Sequence, residues 1–195
     1  MTSIIKVDSI LMGNGDTPSI SDMGFSALTA ADMPTGSVLQ VVSVSTPAQQ
    51  QFTTTAFVNF SQLNCSITPT STSSKILVSY NIFVGNASDD AYNQFIVNRI
   101  IGGVVTALGI GDAISNATRL SWGQNGPYSH AVYEVHNSSW QYLDTPATTS
   151  TVSYQLTARA QQNTAKTMYF NRPSDVSDGN RMATTSSVTL MEIAG

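Results

Sequence analysis

Charge is what this chain has least of. Asp, Glu, Lys and Arg make up 10% of its 195 residues, against about a quarter in ordinary domains. The 8 Lys and Arg are scattered and the net charge is −4. Without a basic run or stripe, the footprint that nucleic acid or anionic lipid requires is missing. Neither a nucleic-acid nor a membrane partner is expected. Cysteine is confined to Cys65, so no intrachain disulfide can form. It sits in the strand-like run "QLNCSIT" with no His or Lys beside it to favour the thiolate, and reads as a small buried hydrophobe. No apolar stretch approaches 18 residues. The opening "MTSIIKVDSILMG" lacks a basic start and is interrupted by Lys6 and Asp8, so no secretory signal is expected. There is no G-x-S-x-G elbow, and "GIGDAI" and "IIGG" lack the helix that a phosphate loop needs. The expectation is a protein that is not an enzyme and carries no cofactor; a polysaccharide depolymerase is the enzyme alternative, disfavoured by small size.

Hydroxyls fill the space that charge leaves. The chain has 26 Ser and 23 Thr, a quarter of its length. Thr favours strands and Ser favours turns, so such a surface suits an all-β protein. With 41% hydrophobic residues, one sizeable core is within reach. Residues 1–36 read as an N-terminal arm: "SIIKVDSILM" alternates like a strand, "GNGDTP" breaks it, and "LTAADMP" suggests a single helical turn. From Ser37 to Gly195 short strands follow one another between Gly, Pro, Asn and Ser clusters. They include "SVLQVVSVS", "QFTTTAFVNF", "KILVSYNIFVG", "YNQFIVNRI", "SHAVYEVHN", "STVSYQLTARAQ" and "SSVTLMEIA". No window carries a helical stripe for three turns, and the pattern predicts a β-sandwich.

Two strands are apolar on both faces. In "KILVSYNIFV", Ile76, Val78, Tyr80, Ile82 and Val84 fall on one side, and Leu77, Ser79, Asn81 and Phe83 on the other. An antiparallel strand normally keeps one wet face, so the second apolar face predicts contact with another subunit. His130, Glu134 and His136 share one face of "SHAVYEVH" and are a candidate metal set. Ala131, Tyr133 and Val135 opposite them make the plainer reading a half-buried strand, and no metal is expected. Asp89 and Asp90, like Asp175, Asp178 and Asn180, lack the spacing of an EF-hand loop and read as turn acids. Trp122, Tyr128, Trp140 and Tyr142 lie at or beside predicted loops among Asn, Gln and Ser. That mixture suits sugar and protein surfaces, while caps on the core are the competing role for the Trp residues.

Three stretches in order, "SITPTSTSSKILVSYNI", "YLDTPATTSTVSYQLTAR" and "SSVTLMEIAG", resemble the C-terminal domains of tail-fibre-like virion proteins of tailed phages, especially those of marine and cyanobacterial hosts. The resemblance covers roughly residues 36–195. It implies a jelly-roll-like antiparallel β-sandwich, similar to the C1q and tumour-necrosis-factor domains, assembled as a homotrimer in the virion. It implies that the last strand lies central in its sheet near the subunit interface, making Val188, Leu190 and Glu192 candidate interface residues. A buried carboxylate needs a partner, and Arg99 and Arg159 are the candidates for Glu192. The arm would attach to other virion proteins. The loops bearing Trp122, Tyr128, Trp140, Tyr142, Asp89 and Asp90 would meet a host surface glycan or protein. Capsid decoration or cement is the alternative role.

Overall fold

The computed structural model describes residues 32–87, 91–125, 131–160 and 164–195. The strand expected in the arm, Asp89, Asp90, Tyr128 and His130 lie outside the described residues. In chain order the strands are β1 (Val38–Thr46), β2 (Gln51–Thr53), β3 (Val58–Asn59), β4 (Cys65–Ile67), β5 (Lys75–Asn86), β6 (Tyr92–Ile101), β7 (Val104–Leu108), β8 (Trp122–Asn125), β9 (His136–Asp144), β10 (Val152–Arg159), β11 (Thr167–Phe170) and β12 (Ser186–Ile193).

They form two antiparallel sheets, the sandwich that the strand pattern predicts. The first sheet runs β1–β12–β5–β11–β2, with β9 on the other side of β5. The second runs β3–β10–β6–β7, with β4 also on β10 and β8 also on β6. Alternation builds the core. Ile76, Val78, Tyr80, Ile82 and Val84 of β5 are fully buried, as are Val188 and Leu190 of β12. Val152, Tyr154, Leu156 and Ala158 of β10 and Phe95 and Val97 of β6 meet them from the second sheet. Burying each such large side chain contributes about 1.5–3 kcal/mol. The chain's last strand is central: β12 pairs β1 through Val188↔Val44 and β5 through Val188↔Tyr80.

Two predicted strands are redrawn. "QFTTTAFVNF" is broken, with β2 in the first sheet and β3 in the second. A straight strand would hold Phe52 and Phe60 about 26 Å apart. The crossing brings their rings to 6.4 Å, and Phe60 stacks on Phe170 at 3.9 Å. The described part of "SHAVYEVHN", from Ala131, is not one strand either. Ala131–Tyr133 forms a 3-10 turn, and β9 starts at His136 and continues unbroken to Asp144. Here the nine-residue ladder from His136↔Val84 to Asp144↔Ile76 sets the boundary.

Candidate functional site

The charged residues inside the sandwich are matched differently from the sequence expectation. Glu192 is fully buried on the inner face of β12, so it lies in the core of its own chain and not between subunits. Its partners are neutral. The Gln40 amide donates to Oε2 at 2.6 Å, and the Thr70 N–H and hydroxyl both donate to Oε1 at 2.7 Å. Burial alone would raise its pKa; the donors from Gln40 and Thr70, with the Ser74 hydroxyl alongside, outweigh that and hold it below the ordinary carboxylate value. Arg99 instead bridges the two sheets: its guanidinium donates to Asp144 Oδ1 at 2.8 Å, and the Tyr154 hydroxyl donates to Oδ2 at 2.8 Å. Burial and the Asp144 carboxylate push the Tyr154 phenol up. Arg159 belongs to the far side of the second sheet, donating to Gln94, the Thr55 carbonyl and Thr118, with Phe57 under its guanidinium. Val188 and Leu190 are likewise core residues, not interface residues. Asp144 escapes the sequence reading because "YLDTP" reads as a turn, and Tyr154 because it lies in the strand-like run "STVSYQLTARAQ" with no polar partner near it in sequence. The signal was there in alternation, which puts Asp144 on the same face as Trp140 and Tyr142.

The candidate aromatics form a stack rather than a loop cluster. Phe95 and Trp122 lie at 4.7 Å, Trp122 and Trp140 at 5.7 Å, and Trp140 and Tyr142 at 5.6 Å, with ring planes within 21° of parallel. Trp122 also donates its indole N–H to Ser138 at 2.7 Å. Both Trp residues pack against the core, the capping role. Tyr142 ends the stack and is 38% exposed. Gly109 closes over it at φ +56°, where an added Cβ would meet Trp140 at 2.8 Å and Tyr142 at 3.2 Å.

Of the candidate metal set, His130 lies outside the described residues, Glu134 precedes β9 and His136 begins it. Glu134 and His136 contact one another, Oε2 to Nε2 at 3.1 Å. Among the described residues no group of three His, Cys, Asp or Glu side chains is placed to hold a metal. Asp175 and Asp178 accept bonds from the backbone N–H groups of Ser177 and Asn180, the geometry of turn acids. Cys65 is buried, and burial pushes its thiol pKa up, as its strand-like run implies.

The most unusual surface is the outer face of the first sheet. Cross-strand register lays its side chains in rows over β1, β12, β5 and β9. One row is apolar: Val41, Met191, Leu77 and Leu143. Val41 is 55% and Leu143 48% exposed. The next row is Ser43, Thr189, Ser79 and Gln141, and the third is Ser45, Ser187, Asn81 and Ser139. These polar rows bond across strands, Ser43 with Thr189 at 3.1 Å and Gln141 to Ser79 at 3.2 Å. Ser79, Asn81, Ser139 and Gln141 line a shallow trough of about 530 Å³. None of the twelve side chains carries a charge. From strand spacing and rise the face is about 19 Å by about 20 Å, on the order of 400 Å². The apolar row makes up about a third of that area. No protein-family model matches the chain, and no curated protein matches it.

Proposed function

We propose that this chain is a phage virion structural protein of the tail-fibre or fibre-tip type, a self-associating β-sandwich that meets the host cell surface. The observation that carries the reading is the block of three uncharged rows on the outer face of the first sheet, bordered by Lys75 in the next row. Soluble sheets ordinarily turn charged side chains outward. Depletion of charge with retained apolar side chains is the compositional mark of an interface core. The subunit contact therefore moves from the inner residues Val188, Leu190 and Glu192 to the outer row Val41, Leu77, Leu143 and Met191. The sandwich agrees with the architecture that the phage resemblance implies. On the host-facing side, Tyr142 is the described aromatic candidate with an exposed ring, held rigid by Trp140 beneath it. A rigid aromatic contributes contact area at low entropic cost.

Light scattering of the purified chain is expected to give three times 20.7 kDa; a monomer overturns the self-association. Immunogold labelling of intact particles is expected to mark the tail tip or fibres. Gold spread over the head would replace adsorption with capsid decoration, and an unlabelled particle would remove the virion reading.

A further inference from the structure

A pocket of about 380 Å³ opens at the end of the sandwich where β5 begins and β12 finishes. Hydroxyl side chains dominate its lining: Thr70, Ser71, Ser73 and Ser74 come from the loop between β4 and β5. Met33 and Leu39 supply an apolar part. One wall is the chain that follows β12, and backbone bonds fix it. The Gly36 N–H donates to the Ala194 carbonyl at 2.8 Å, and the Ala194 N–H donates to the Ser37 carbonyl at 2.8 Å. This wall lies so close to the loop that a Cβ on Gly195 would overlap the Ser73 carbonyl. Ser74 is 1% exposed, yet its hydroxyl, although alongside Glu192, has no hydrogen-bond partner among the described residues. Buried hydroxyls are nearly always partnered, and this one lines the pocket.

The chemistry of the lining selects the ligand. None of the lining side chains carries a charge, so an anion finds no counter-charge. Glu192 is fully buried, and both its oxygens already accept bonds from Gln40 and Thr70, so a cation finds no free carboxylate. The Thr70 hydroxyl spends its proton on Glu192 and keeps its lone pairs. The lining thus calls for a neutral ligand whose own hydroxyls donate and accept, and whose carbon skeleton meets Met33 and Leu39. We infer that the pocket takes one neutral sugar ring, a pyranose with hydroxyls around its rim and C–H groups on its faces. The volume stands near the lower end of ligand pockets, which suits a single ring. The inference names a ligand class for the host-surface role and rests on that reading for its biological meaning; the binding itself belongs to the folded chain.

Saturation-transfer NMR on the purified full chain tests it. The probes are the methyl pyranosides of glucose, galactose, mannose and N-acetylglucosamine. Transfer to the ring C–H protons of at least one is expected, with a Kd on the order of 1–10 mM for so small a ligand held by few bonds. Ser74→Ala removes the buried hydroxyl, and Ser73→Ile obstructs the pocket from an exposed position. Each is expected to weaken binding by about tenfold or more. No transfer from the unmodified chain to any of the four probes overturns the sugar assignment. So does transfer that both variants retain in full. Transfer that survives both variants and vanishes in Tyr142→Ala would place the sugar on the exposed aromatic and overturn the pocket. Particle labelling stays the separate test of the virion reading: a labelled tail with no sugar transfer sinks this inference alone.

Discussion

At the residue scale, neutral donors can hold a buried carboxylate ionised. Gln40 and Thr70 hold Glu192 below the ordinary value of 4.5. The folded-state pKa is depressed, so the stabilisation is complete above the unfolded pKa and is lost as pH falls through the folded one. In urea denaturation, the unfolding free energy is expected to decline below about pH 4.5. Glu192→Gln turns an amide N–H toward the Gln40 amide, sets two donors against each other, and is expected to cost about 1–3 kcal/mol at pH 7. The variant's acid decline should be shallower; an equally steep decline would assign the pH dependence to other groups. Gly109 is a second residue fixed by its surroundings. Gly109→Ala meets strain at positive φ and the Trp140 ring at 2.8 Å together. A loss of about 1–3 kcal/mol is expected, along with a shift in Trp emission that a purely backbone effect would not produce.

At the element scale, the two faces of β12 have opposite jobs. Leu190 is fully buried, and its neighbour Met191 lies in the apolar outer row. Leu190→Ala is expected to cost about 2–5 kcal/mol by calorimetry or denaturant and to leave the assembly mass unchanged. Met191→Lys is expected to change stability of the isolated fold by less than about 0.5 kcal/mol and to lower the mass seen by light scattering. Equal effects of both on mass would refute the face assignment. The same logic explains why β5 reads as apolar on both sides. Leu77 belongs to the outer row, while Ile76 and Val78 beside it belong to the core. β12 carries its carboxylate because its inner face ends beside the Thr70 loop, where donors are at hand.

At the scale of the whole molecule, the low charge has one consequence that can be measured. The proposed interface has no charged side chains and gains nothing from counterion effects. The assembly mass is therefore expected to be the same from about 0.05 M to about 1 M salt, although the Debye length falls severalfold over that range. Dissociation at high salt would point to a charged contact elsewhere. The sequence by itself determined the fold class, the alternation within β5 and β12 and the absence of disulfides. These depend on local period and composition, which are written along the chain. Only the tertiary structure decided which polar groups meet. The Arg99–Asp144 pair joins strands from opposite sheets, and Glu192 meets Gln40 from 152 positions away. The crossing after Thr53, the unbroken β9 and the four-strand outer row were equally out of reach. Each follows from register between distant segments, and register is set by the packing of the completed sandwich.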